Sequence, residues 1–407
     1  MATDTAFVLT VLVLCYAVVS GLVNRWYLAP ALIFVAFGMV LGPFGFGFVE
    51  TGPDTESFTI LAQLALTVIV FNQAAELDLP GLVRRGHVTF RLLVVGIPLT
   101  LLLGTLTALL VLPVMPLWEA VCLAAIVAPT EVAMIDALLD DKRIPEAVRH
   151  ALSAESGCYD GFALAAMLAA LALASDRSDP DPARWGSFLL RTEVMSLGIG
   201  LALGFVGGVV IARSRQRGWM NDVWGQLATL AVALVCFELA EQLHGSGFVA
   251  AFAGGLAFSF VNRRKSVTQQ TQFSDATGQL LELIVFAMFG GYAVIAGWRD
   301  AGWRVILFAA IALVAVRLVA VSVALLGSGL PARSRLFIGW FGPRGIGTLV
   351  LGLLLIERGE IQQADLITQA VAVTVTLSLV LHSLTTPWGI RLVARDRMAP
   401  RPSTIGP

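Results

Sequence analysis

Charge is scarce in this chain. Only 14% of its 407 residues are Asp, Glu, Lys or Arg, where a soluble chain carries about 25%. Cysteine is sparse too: Cys15, Cys122, Cys158 and Cys236 lie in apolar stretches without CxxC spacing. That excludes a disulfide framework or a zinc ribbon, and makes Cys158 an apolar filler. No nucleotide or other cofactor motif is present, and the loops are too short to hold a soluble domain. The expectation is no enzyme and no cofactor, and without a basic patch no nucleic-acid partner either. The net charge of -1 points to no partner. The stretch from Phe7 to Ser20 lacks a basic n-region and an Ala-x-Ala cleavage site, so it is expected to be a retained first span.

What the chain has instead is apolar length. Hydrophobic residues make up 57% of it and mean hydropathy is +0.83. Apolar runs between short polar or Pro/Gly loops give about thirteen expected helices: 6–21, 27–43, 57–75, 90–111, 117–139, 150–175, 189–212, 222–241, 247–262, 276–297, 303–327, 335–356 and 366–390. Most reach the roughly 20 residues needed to cross the hydrocarbon. The 39 glycines suit helices whose backbones approach closely.

The basic residues test this count. Alternate loops and the C-terminus carry Arg25; Arg84, Arg85 and Arg91; Lys142, Arg143 and Arg149; Arg213, Arg215 and Arg217; Arg263, Arg264 and Lys265; Arg333 and Arg335; and Arg391, Arg395, Arg397 and Arg401. The opposite loops carry only Arg177, Arg184, Arg191, Arg299, Arg304 and Arg358. The positive-inside rule then puts the N-terminus outside and the C-terminus in the cytoplasm. Arg317 and Arg344 are left within the membrane.

Two spans are interrupted. The fifth contains Pro129-Thr130-Glu131 and the twelfth Phe341-Gly342-Pro343-Arg344-Gly345, where proline removes a donor and clashes with the preceding turn. They fall at corresponding places in two six-helix blocks, with the seventh span as connector, which points to an inverted-repeat carrier. The expected fold is therefore an all-α polytopic membrane protein with two discontinuous crossing helices. It forms one domain over 1–395 (repeats at about 6–175 and 222–390, connector at about 189–212) and a short cytoplasmic tail, 396–407.

The intramembrane carboxylates carry the functional reading. Burying a charge at the bilayer centre costs at least about 2.5–3.5 kcal/mol, so such groups usually bind or relay an ion. Ser156 and Asp160, four residues apart, put oxygen ligands on one helix face; Glu155 and Tyr159 form the adjacent stripe. Thr130 offers a hydroxyl and a carbonyl, and Glu131 can face a positive half-helix end. A dehydrated carboxylate is either protonated or metal-bound, so proton and cation compete for Asp160. Arg344 is a natural partner of Glu155 or Glu131. Arg317 could compensate charge, gate a path or reach a lipid headgroup. Glu119 and Glu193 are expected at span ends; Glu238 and Glu282 could be interfacial or line a funnel. His87, His150, His244 and His382 are expected at or near loops, not in a buried relay.

The motifs resemble those of the sodium/proton exchanger family of monovalent cation:proton antiporters, in its bacterial NhaP-like branch. Glu155-Ser156-Gly157-Cys158-Tyr159-Asp160-Gly161 is similar to that family's Glu-Ser-Gly-x-Asn-Asp-Gly signature. Ala128-Pro129-Thr130-Glu131 resembles its unwound segment, and Phe337 to Gly345 its arginine-bearing crossing helix; Leu243 to Ala250 is also similar. The resemblance covers nearly the whole chain. It implies a homodimer in which a core domain moves against a dimerisation domain. It makes Asp160 the ion-binding aspartate, Ser156 and Thr130 ligands, and Glu155 with Arg344 the bracing pair. Three positions depart from the family pattern. Tyr159 replaces an asparagine, Glu131 an aspartate, and Gln73 a position often acidic whose amide carbonyl still coordinates.

The function expected is antiport in the plasma membrane of a proton against a monovalent cation, sodium first, with potassium or lithium as alternatives. The rivals are an exchanger-fold sensor or channel-like protein without coupled transport, or a carrier of another cation.

Overall fold

Proline and glycine set many of the helix ends. Helix α1 (Ala2–Arg25) stops at a turn through Tyr27, whose φ is 55°, and α2 (Pro30–Leu41) restarts with proline in its first turn, where the missing N–H costs nothing. The computed structural model describes residues 2–48, 56–77, 87–131, 141–175, 182–262, 264–357 and 361–398. Residues 132–140 of the expected fifth span and 399–407 of the expected tail lie outside them. The helices that follow are α3 (Glu56–Glu76), α4 (His87–Val111), α5 (Leu117–Val127), α6 (Glu146–Ser175), α7 (Pro182–Gln216), α8 (Asp222–Gln242) and α9 (Gly247–Val261). Helix α10 runs over Arg264–Phe289 and continues through a π turn, Gly290–Val294, to Ile295–Asp300. The chain ends with α11 (Trp303–Ala324), α12 (Ala332–Trp340), α13 (Ile346–Glu357) and α14 (Ala364–Met398). No strand occurs among the described residues.

Eight of these helices are long and apolar enough to cross a membrane, and α2, α5, α9 and α13 are shorter apolar helices. The protein is an all-helical, multi-pass membrane protein. The helical, multi-pass character is as expected, with eight helices of spanning length rather than thirteen among the described residues, and two details differ. Helix α10 begins at Arg264 rather than near 276, because its first turns are polar and dock on α3 through hydrogen bonds. Thr271 donates to Glu76 (2.9 Å) and Ser274 to the Asn72 side-chain oxygen (2.9 Å); hydropathy alone does not register such a face. The second difference is that α4, α10 and α11 each contain a π turn, at Leu92–Gly96, Gly290–Val294 and Ala312–Val316.

Helices α7 and α9 pack through their backbones: a Cβ on Gly204 would sit 2.0 Å from the Gly254 carbonyl oxygen. Helix α3 lies against α9 and α10, α5 against α6, and α14 lines α11, α12 and α13. The loops meet in the sets that the charge alternation groups together. Tyr27, after α1, donates to Asp141 before α6 (3.2 Å), and Arg143 bridges both at 2.8 and 2.6 Å. His87 Nε2 lies 3.0 Å from the Ser328 carbonyl, and Arg91 donates to that of Leu326. Hydrogen bonding to the Arg143 guanidinium holds the Asp141 carboxyl below the usual carboxylate range. This contact therefore stabilises the fold at neutral pH and is lost as the pH falls through that lowered value.

At the opposite set, Glu119 is buried rather than interfacial. Its two oxygens accept the Gln362 and Gln363 N–H groups, each at 3.0 Å, just ahead of α14. The start of a helix leaves donors that need such a partner. Glu119→Ala should strand both and lower stability by about 1–3 kcal/mol. Glu119→Gln, which keeps one acceptor, should cost less. Thermal melts in detergent check the ranking, and equal losses would show that the cap does not matter.

Candidate functional site

Helix α5 stops at Val127 and α12 at Trp340, and in both places the chain leaves the helix, over 128–131 and 341–345. Pro129 and Pro343 offer no N–H to continue either ladder. The two breaks cross. The Glu131 N–H donates to the Pro343 carbonyl at 2.8 Å, joining them backbone to backbone. Gly342 and Gly345 allow the approach. A Cβ on Gly342 would lie 1.9 Å from Arg317 Nε, and one on Gly345 would lie 2.5 Å from Glu131 Cγ.

Each break frees carbonyls at the negative end of a half-helix, and each receives a buried guanidinium. Arg344 donates to the Ala128 carbonyl and, at 2.9 Å, to that of Pro129, at the end of α5. Arg317 donates to the Ile338 carbonyl in the last turn of α12 at 3.3 Å. Both arginines are 1% exposed, so neither charge is relieved by solvent.

The carboxylate that pairs with these cations is Glu155, and its partner corrects the expected brace. Glu155 is joined to Arg317, not Arg344, by two parallel bonds of 3.0 and 3.1 Å. The reason is geometric. Arg344 starts the second half of its own broken helix and points across to α5. Arg317 follows the π turn of α11 and reaches α6 and α12 together. Of the three roles left open for Arg317, the structure selects charge compensation.

The remaining candidates gather around this frame. Ser156 donates to the Thr130 carbonyl, so the two expected ligands meet across α6 and the first break. Thr130, Glu131, Glu155 and Ser156 are all buried. Glu131 lies against Gly345 at the start of α13, where the half-helix end is positive. Gln73, on α3, packs where α6 exposes Gly157, with its Cβ 3.7 Å from the space a Gly157 Cβ would fill. Its side-chain oxygen is buried and has no hydrogen-bond partner among the described residues. The Tyr159 ring is wholly buried in the main apolar core. Asp160 is part of α6, one turn after Ser156; its side chain lies outside the described residues. Beside Gly161, an apolar crevice lined by Leu66, Val70, Leu164, Phe248, Gly347 and Leu351 offers an ion no polar partner.

Two residues of this region correct or extend the expectations from sequence. His382 is buried in α14, not at a loop, with Nε2 2.9 Å from the Trp340 carbonyl. Ser378, one turn earlier, accepts the Arg344 backbone N–H at 2.7 Å. The available signal was a polar pair at i and i+4 within an apolar span.

The arrangement makes separable demands on its arginines. Glu155→Gln and Arg317→Gln should each destabilise by about 3–5 kcal/mol, since each strands a buried charge, while the double mutant recovers much of the loss. Glu155→Gln combined with Arg344→Gln should show much weaker coupling. A double-mutant cycle on detergent melts reads both, and strong coupling only in the second cycle would contradict the pairing.

A sequence profile of the transmembrane sodium/hydrogen exchanger family matches residues 8–391. The chain is 26% identical over 383 residues to a probable Na(+)/H(+) antiporter of Schizosaccharomyces pombe, covering 86% of this chain and 49% of that protein. It is 24% identical to the K(+)/H(+) antiporter NhaP of Alkalimonas amylolytica, covering 96% and 66%. It thus spans about half to two thirds of the length of these relatives. The solved structure of a sodium proton antiporter from Methanocaldococcus jannaschii has a TM-score of 0.78 and 19% identity, with 94% of this chain and 99% of that chain covered. That likeness is one of fold.

Proposed function

Since the chain belongs to the transmembrane sodium/hydrogen exchanger family, we propose that it exchanges one proton for one monovalent cation across the plasma membrane. Sodium is the first candidate, with potassium and lithium as alternatives. What supports this is the inventory of charged residues on the two broken segments, α6 and α11: Glu131, Glu155 and Asp160 against Arg317 and Arg344. Three carboxylates and two guanidiniums leave one negative charge. A proton or one alkali cation neutralises it, and the carrier is expensive to move through hydrocarbon with the charge bare.

Asp160 is the shared group in this reading. Ser156, Thr130 and Gln73 supply neutral oxygens, which suit a hard cation. Glu155 is excluded from ion binding by its bidentate bond to Arg317. Gln73 in place of a carboxylate keeps the net charge at one, consistent with one-for-one exchange. The basic loops favour an external N-terminus and a cytoplasmic C-terminus. Exposed apolar side chains on α1 and α7, among them Phe7, Leu14, Val18, Leu201 and Phe205, suit lipid and a second copy of the chain.

Purified protein in liposomes with a lumenal pH dye tests the proposal. Sodium, potassium or lithium should each be tried against a large inert cation, and only alkali cations should move protons. The rate should not change when the membrane potential is clamped, because the cycle moves no net charge. Asp160→Asn should abolish the signal while the protein still folds. Exchange that survives this substitution would shift the binding role to Glu131. A wild-type protein silent to every cation would favour the uncoupled sensor.

A further inference from the structure

We propose that His382 and Ser378 on α14 are positioning residues that hold the two halves of the broken α12–α13 helix in register. The inference rests on the exchange reading above for its transport readout. Ser378 Oγ accepts the Arg344 N–H at 2.7 Å, on one side of the break. His382 Nε2 lies 2.9 Å from the Trp340 carbonyl, on the other side. Its Nδ1 lies 3.1 Å from Ser378 Oγ and 2.8 Å from the Ser378 carbonyl.

Both ring nitrogens face a carbonyl, Nε2 that of Trp340 and Nδ1 that of Ser378. A carbonyl only accepts and a neutral imidazole donates through one nitrogen alone, so a neutral ring bonds one of the two and a protonated ring bonds both. Ser378 Oγ accepts from Arg344 and lies beside Nδ1, so the contacts run unbroken from the Arg344 N–H through Ser378 and His382 to Trp340. Thr385, on the same face of α14, accepts from the Trp340 indole at 2.9 Å. The imidazole also stands beside the Trp340 and Phe341 rings, 6.3 and 6.2 Å away between centroids. One helix therefore splints both ends of a five-residue gap in another.

The splint reaches the ion site through Arg344. Its backbone is fixed by Ser378, and its guanidinium holds the Ala128 and Pro129 carbonyls, next to Thr130, whose own carbonyl accepts from Ser156. Loosening the splint shifts Thr130 relative to Ser156 and Asp160 without removing any ligand. Loss of such supporting contacts typically weakens metal-ion affinity about 10–100-fold.

The test compares His382→Phe, His382→Gln and Ser378→Ala in proteoliposomes and by hydrogen–deuterium exchange. Phe keeps the ring and removes both nitrogens; Gln restores a donor that reaches Trp340. His382→Phe should raise the apparent KM for the alkali cation about tenfold or more, with a smaller change in maximal rate. Amide exchange in the peptide over 341–346 should speed up in His382→Phe and Ser378→Ala and stay slow in His382→Gln. Folded His382→Phe with wild-type KM and wild-type protection of that peptide would overturn the proposal. If His382→Phe does not fold, the same two readouts on Ser378→Ala decide. A wild-type protein that moves no cation would sink the exchange reading instead, and the deuterium comparison alone would then judge the splint.

Discussion

A backbone carbonyl freed inside a helix bundle has no water to turn to, and two helices of this protein end there. The fold answers with cations. Arg344 covers the end of α5 and Arg317 the end of α12, each opposite the negative pole of a half-helix. Most of the surrounding chemistry follows from these two contacts. Glu155 is buried because Arg317 must be neutralised. Gly342 must lack a side chain because Arg317 occupies that space, and Gly345 because Glu131 does. Ser378 accepts the Arg344 N–H and His382 lies against the Trp340 carbonyl at the second break.

Locking both guanidiniums into structural roles has an electrostatic consequence. Neither is available to follow an ion, so in the proposed reading the surplus carboxylate charge stays with the site whatever occupies it. The proposed exchange uses that surplus. The departures from the family signature fit the same logic. The Tyr159 ring packs in the apolar core, with its hydroxyl buried. Gln73 packs against α6 at Gly157 without adding a further negative charge that would have to be compensated.

Much of the fold was legible in the sequence because its signals are local. Hydropathy marks a span over about 20 residues, and Pro129 and Pro343 break their helices within one turn of where they stand. Two pairs of loops that the basic residues group together do meet, Tyr27 with Asp141 and His87 with Ser328. Ser156 and Asp160 share a helix face through spacing alone. The start of α10 was misjudged because its polar first turns dock on α3 through side-chain hydrogen bonds, which no hydropathy window detects.

Partner choice was not legible. Glu155 and Arg317 are 162 positions apart, and in one dimension Arg344 is an equally good cation. Three-dimensional direction decides between them: Arg344 leaves its helix toward α5, while a π turn in α11, invisible as a pattern of residue types, precedes Arg317. His382 reads as a residue close to a loop and becomes a buried bridge only when α14 lies along the break. Membrane crossing, the two breaks and the carboxylates near them can be read from residue types along the chain. Which charge neutralises which cannot, because a buried charge is stabilised only by the group that actually reaches it.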